Sequence, residues 1–276
     1  MRYLLLLTIP VLLGATLSAG AAADLSAAGA SQVARPTCFG QRATLVGTRG
    51  DDVIVGTPQR DVVVARAGND VVRSRGGGDV VCGGAGDDRI VDGRGGRRDQ
   101  LFGGPGDDRL TSTGHSAFFS GGAGTDVLTV AGTGETLLDL TADGDQVRTR
   151  TQRTRRLVVL LTYGSIPGPI EVDLAAGTVR RAGAATGDEI THVSRPPREM
   201  VVGGTAGNDR MSGRNGRDFL FGFRGNDNLT GRGGPDVLDG GPGDDVLDGG
   251  KGTDSASGGK GTDTCTNAEN LTGCSP

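Results

Sequence analysis

The sequence predicts an all-β repeat array rather than a globule with a thick core, and three observations predict it. Fifty-two of the 276 residues are glycine, about 19% where ~7% is usual. Only 3% are aromatic and tryptophan is absent, too little bulk for the interior of a globule this long. Short β-branched runs recur between the glycine clusters, Val-Ile-Val at 53–55 and Val-Val-Val at 62–64, which argues against a disordered linker. Collagen is excluded, because glycine does not recur at every third residue and only 11 prolines are present. The formal net charge of -4 and pI near 5.3 leave no overall positive field for nucleic acid.

The first residues predict the compartment. Arg2 is a positive start, Leu4 to Leu13 an apolar run, and Ala21-Ala22-Ala23 a small-residue cleavage site. Residues 1–23 therefore read as a Sec-type signal peptide, and the apolar run, broken by Pro10 and Gly14, is too short for a good membrane span. An Ala/Ser/Gly-rich stretch follows, and residues 24–37 are expected to be a disordered lead-in. Four cysteines suit an oxidising exterior. Lys251 and Lys260 are the only lysines among 29 basic residues, a bias expected of a GC-rich, bacterial genome.

From Gly204 the chain runs as seven nine-residue units without a slip. Position one is always glycine, as is position four. Position six is always aspartate: Asp209, Asp218, Asp227, Asp236, Asp245, Asp254 and Asp263. Position eight is Met211, Leu220, Leu229, Leu238 and Leu247, then Ala256 and Cys265. An earlier array starts at Gly47 with Asp52, Asp61, Asp70, Asp79 and Asp88 at position six. Two extra residues near Gly93–Arg98 shift the count before Asp99, Asp108 and Asp126. Its apolar column never lapses (Ile54, Val63, Val72, Val81, Ile90, Leu101, Leu110, Phe119, Leu128), whereas the Gly/Asp pattern lapses at Gln59, Arg97 and Ala117.

These units resemble the GGxGxDxUx nonapeptide of the RTX, or hemolysin-type, calcium-binding proteins. The resemblance covers roughly residues 47–129 and 204–266. It implies a parallel β-roll: each unit makes a Gly-rich turn and a short strand, two units complete a coil, and Ca²⁺ sits between turns stacked on one side. Turns 18 residues apart then stack. One predicted column is Asp52, Asp70, Asp88, Asp108 and Asp126, facing Asp61, Asp79 and Asp99 across the roll. In the second array the columns are Asp209, Asp227, Asp245, Asp263 and Asp218, Asp236, Asp254. All fifteen aspartates are candidate calcium ligands, because carboxylate is the hard, charged oxygen that Ca²⁺ takes at ~2.3–2.6 Å.

The expected organisation places a first array with its N-terminal approach at 38–132 and an irregular β segment or degenerate rungs at 133–203. The second array follows at 204–266, with a C-terminal cap at 267–276. Strands are expected in the middle at Glu135–Thr141, Gln146–Thr151, Leu157–Tyr163, Ile170–Leu174 and His192–Val193. Arg148, Arg150, Arg153, Arg155 and Arg156 read as a solvated edge strand, or else as a contact for a cell-surface or matrix polyanion. Cys265 holds an inward position nine residues before Cys274, so we pair them as a terminal staple and leave Cys38 with Cys82, although sequence alone allows three connectivities. No C-x₂-C spacing suggests zinc.

No catalytic set is expected. Gly114-His115-Ser116-Ala117-Phe118 imitates a nucleophile elbow without its last glycine, His115 and His192 are the only histidines, and Gly261 follows Lys260 where a phosphate loop needs Ser or Thr. The leading expectation is a secreted, non-enzymatic calcium-binding protein, extracellular or cell-surface associated, with a structural or adhesive role. The alternative is a carbohydrate-active β-solenoid enzyme or its accessory module, since paired carboxylates also serve glycosidases.

Overall fold

The computed structural model describes residues 35–93, 98–114, 117–131, 134–140, 145–149, 157–162, 169–173, 175–181, 188–192 and 199–274. The expected signal peptide at 1–23, residues 24–34 of the expected lead-in, His115, Ser116, Arg150, Arg153, Arg155 and Arg156 lie outside the described residues. Thr37, expected within the lead-in, opens the short strand Thr37–Cys38.

The described residues hold strands and no helix. Outside an N-terminal hairpin and an insert described below, successive strands alternate between two long sheets of 13 and 12 strands, and each pairs in parallel with the strand one coil away. The offset is 18 residues where the repeat is regular, as for Leu110 opposite Leu128 and Leu220 opposite Leu238. It is 20 across the insertion, as for Val81 opposite Leu101 and Ile90 opposite Leu110. The two extra residues are thus absorbed in one turn, and the strands beyond it stay in step. This is a parallel β-solenoid.

Each strand sends alternate side chains inward. Position eight does so in nearly every coil, and Val63, Val81, Ile90, Leu101, Leu110, Phe119, Leu128, Leu220, Leu229 and Leu247 are wholly buried in one continuous file. One aliphatic residue per unit makes a thin core. It thickens in the middle, where Leu138, Leu140, Val147, Ile170, Val172, Val179, Met200 and Val202 join it.

The two arrays are continuous through that middle. In the 12-stranded sheet, Gly134–Asp139, Leu157–Thr162, Glu199–Gly203 and Arg217–Phe221 follow one another in parallel. The other sheet carries an insert. Ile170–Asp173 runs antiparallel to Thr178–Arg181, which runs antiparallel to Asp188–His192, before parallel pairing resumes on either side. The strands at Thr178–Arg181 and Glu199–Gly203 were not expected, and the strand expected at His192–Val193 begins earlier, at Asp188. Gln146–Thr149 is not an edge strand but is paired on both sides, to Val127–Val130 and Asp188–His192. Its Arg148 is exposed and donates to Gln146 Oε1 at 2.6 Å.

Both expected disulfides are present, Cys38–Cys82 and Cys265–Cys274. The first pins the hairpin Thr37–Cys38/Gln41–Arg42 onto a second apolar cluster of Ala43, Val62, Val64 and Val80, where the Phe39 ring stacks on Phe102 at 4.0 Å. Truncating the largest wholly buried side chain among the described residues, Phe119→Ala, is expected to cost about 3–5 kcal/mol in denaturant unfolding. Replacing both Cys265 and Cys274 by serine should cost about 2–3 kcal/mol. Losses under ~1 kcal/mol would show that neither the apolar file nor the staple carries the fold.

Candidate metal centre

The turns between the sheets are built so that backbone and carboxylate meet in a closed corner. Position two adopts φ > 0 in most coils, and at Gly84 (φ +125°) a Cβ would lie 1.6 Å from the Arg66 carbonyl oxygen of the preceding coil. Glycine relieves both the strain and the collision. Position one has no positive φ in these turns, yet glycine is needed there for space. A Cβ on Gly103 would lie 2.0 Å from Asp108 Oδ2 and 2.5 Å from the Gly121 carbonyl oxygen.

The position-six carboxylates form ladders. One oxygen of each, Oδ1, accepts the backbone N–H of the position-six residue one coil earlier. Asp52 thus donates to Asp70, Asp70 to Asp88, Asp88 to Asp108 and Asp108 to Asp126, at 2.7–2.8 Å. On the opposite edge Asp61 donates to Asp79 and Asp79 to Asp99, both at 2.8 Å. The second array repeats this along Asp209, Asp227, Asp245, Asp263 and along Asp218, Asp236, Asp254. The structure therefore assembles all fifteen predicted aspartates in the predicted columns.

Two ladder members were missed. Asp126 N–H donates to Asp145 Oδ1 at 2.9 Å, and Asp254 N–H donates to Glu269 Oε2 at 2.6 Å. Asp145 follows the irregular spacing after Thr129, and Glu269 is neither an aspartate nor 18 residues on, so period counting finds neither. An outer ladder at position five was missed as well. Asp51, Asn69, Asp87 and Asp107 each accept the backbone N–H of the position-five residue in the next coil at 2.8–2.9 Å. Asn208, Asn226 and Asp244 do the same in the second array. This outer ladder follows one edge only, because position five across the roll is Arg60, Gly78, Arg98, Arg217, Pro235 or Thr253.

The two carboxylate oxygens differ in fate. In the first coil of each array Oδ2 is closed by the backbone N–H four residues earlier, from Thr48 to Asp52, Thr57 to Asp61, Thr205 to Asp209 and Arg214 to Asp218, each at 2.6 Å. The Arg214 guanidinium adds an ion pair to Asp218 Oδ1 at 2.7 Å. In the later coils Oδ2 of Asp70, Asp79, Asp88, Asp99, Asp108, Asp227, Asp236, Asp245, Asp254 and Asp263 is buried without a hydrogen-bond partner. Unpaired buried anions of this kind are costly unless a cation satisfies them.

Calcium chemistry fits these corners. Oδ2 of Asp88, Asp108 and Asp227 and a carbonyl oxygen (of Gly103, Gly121 and Gly240) each lie within 3 Å of where a Cβ on Gly83, Gly103 and Gly222 would stand. Each corner thus gathers hard oxygen donors, one of them anionic, and glycine leaves the space between them open. Residues 43–128 and 203–265, more than half of the chain, match the RTX calcium-binding nonapeptide repeat. The chain belongs to this repeat family. No curated protein matches it. The RTX repeats imply Ca²⁺ as the ion for a β-roll of this kind, with the ladder carboxylates and turn carbonyls as the groups to hold it.

Without a cation the ladder favours protons. Burial, reinforced by like-charged column neighbours, raises the Asp79 and Asp88 carboxyls to about 6, Asp227 and Asp236 to about 7 and Asp108 to about 8. An acid whose folded pKa lies above its unfolded value contributes stability that is complete below roughly pH 4 and is lost as pH climbs through the folded pKa. In chelator the RTX roll is therefore expected to melt at a higher temperature at pH 5 than at pH 8; a melting temperature rising over that window would contradict the ladder electrostatics. Gly103→Ala should lower calcium affinity and cost about 1–3 kcal/mol, because its methyl group would occupy the corner beside Asp108; an unchanged calorimetric titration would show that the corner is not used.

Proposed function

We propose that this protein is a secreted, non-catalytic calcium-binding β-roll whose folding is coupled to extracellular calcium, with a structural or adhesive role. The observation that carries the reading is the file of buried Oδ2 atoms with no partner, repeated coil after coil beside open glycine corners. The proposed ligands are Asp70, Asp79, Asp88, Asp99, Asp108, Asp126, Asp227, Asp236, Asp245, Asp254 and Asp263. Asp52, Asp61, Asp209 and Asp218 act instead as column ends, since backbone N–H groups already occupy their Oδ2 atoms.

Energetics support the coupling. Adjacent coils lie ~4.8 Å apart, and unit charges at that spacing repel by roughly 1 kcal/mol in water and ~3–4 kcal/mol at an effective dielectric of 20. Millimolar calcium acting on sites with a Kd near ~10⁻⁴ M stabilises by roughly 1.4 kcal/mol per ion. In a nearest-neighbour array such increments combine into a cooperative transition. Secretion is supported by two disulfides, which persist in an oxidising compartment, and by the signal-like pattern of residues 1–23.

The test is a calcium titration of the metal-free protein at pH 8, followed by far-ultraviolet circular dichroism and calorimetry. The β signal is expected to grow with calcium, with several ions bound per chain. Full β structure in chelator, unchanged by calcium, would overturn the proposal.

A further inference from the structure

Position one of the first array departs from glycine at Ala65, Ser74, Asp92 and Ser112, and one of these departures, Asp92, is a carboxylate. On the edge formed by Asp61, Asp79 and Asp99, position one is Gly56, then Ser74, Asp92 and Ser112, as the pairing of Asp92 with Ser112 establishes. Asp92 opens the unit whose position six is Asp99. Seven residues separate them, where five separate Ser74 from Asp79 and Ser112 from Ala117. The two-residue insertion therefore falls in the one unit where a carboxylate replaces the position-one glycine. Where position one is glycine, a Cβ would crowd the position-six carboxylate, at 2.0 Å from Asp108 Oδ2 for Gly103. Apart from glycine, the regular turns accept only the small buried Ala65 and Ser74 beside such a carboxylate, and the larger Asp92 side chain coincides with the longer turn.

Asp79, Asp92 and Asp99 are wholly buried, and one carboxylate oxygen from each lies within 4.8 Å of the other two. The Ser112 hydroxyl donates to Asp92 Oδ2 at 2.7 Å and thereby orients the group. Asp92 Oδ1 is left without a partner, as are Asp79 Oδ2 and Asp99 Oδ2. Ser74, also wholly buried, turns its hydroxyl toward Asp79 without completing a hydrogen bond. Three anions and a neutral oxygen donor thus converge where water does not reach. Oxygens on opposite sides of a Ca²⁺ ion stand ~4.6–5.2 Å apart, and adjacent ones closer, so the cluster has the dimensions of a partial calcium shell.

We propose that Asp79, Asp92 and Asp99 together hold one divalent cation, calcium by the hardness of the donors, at an interior site whose decisive third ligand, Asp92, the nonapeptide pattern does not encode. The proposal rests on the calcium reading of the roll for its ion. It is separable from that reading because Asp92 stands outside the position-six columns. The competing account is a proton shared between Asp92 and Asp99 with no metal at all.

The test counts calcium ions per chain by equilibrium dialysis on the full-length protein, comparing wild type with Asp92→Ser and Asp92→Asn. Serine already occupies this column, buried, at Ser74 and Ser112, so the fold accepts it there, and asparagine preserves the volume if serine does not. One fewer ion in both variants, with the remaining ions and the β-roll dichroism retained, is the expected result. An unchanged count, with an unchanged calcium-induced rise in melting temperature, overturns the interior site in favour of the shared proton while leaving the ladder reading intact. A wild-type protein that binds no calcium overturns both.

Discussion

The fold depends on like charges held one strand spacing apart in corners closed to water. A thin interior with one aliphatic side chain per unit leaves little apolar burial to offset repulsion that recurs at every coil. The backbone answers part of the problem, since each Oδ1 accepts the N–H of the coil before it and so welds neighbouring coils together. It leaves the other oxygen unanswered in later coils, as at Asp70, Asp88, Asp108, Asp227 and Asp245. Solenoid geometry and cation demand therefore have one origin: stacking that aligns the strands also aligns the charges.

The two edges of the roll solve this differently. One keeps its carboxylates in step from Asp52 to Asp145 and reinforces the joints from Asp52 to Asp126 with the exposed Asx ladder at position five. On the other, position six becomes Ala117, Thr136, Val159 and Met200 before returning to Asp218. Where the carboxylates stop, the apolar core thickens, with Leu138, Met200 and Val202 filling the interior. Charge and burial thus alternate along the molecule, and the middle coils join two acidic arrays by apolar contact. The antiparallel insert at Ile170–Asp173 and Thr178–Arg181 confines its reversal to one sheet, so the other passes through unbroken.

The column ends show how a repeat starts without leaving a charge exposed to its own neighbours. Thr48, Thr57 and Thr205 stand at position two, where later coils carry glycine or a strained residue such as Arg66 or Phe223. Their backbone N–H groups turn inward onto the first carboxylate of each column, and Arg214 adds its guanidinium to the same task at Asp218. Nothing in the nine-residue pattern distinguishes these aspartates from the ones that follow. The difference lies in backbone direction at position two, which turns to positive φ in the later coils even where it is not glycine, as at Arg66 and Phe223.

Period and composition sufficed for much of this. A strict nine-residue spacing determines which aspartates share a column and which apolar residues face inward, because strand pairing at a fixed coil length translates sequence distance directly into stacking. The same arithmetic carried Asp99 through the insertion. It could not find Asp145 or Glu269, which stand off the period, nor Asp92, which holds a position one where the pattern expects glycine. Nor could it separate the closed oxygens of Asp52 and Asp218 from the open ones of Asp88 and Asp245. Which carboxylate oxygens stay unsatisfied is decided by local backbone orientation in the folded turn, and that orientation exists only once adjacent coils are in contact.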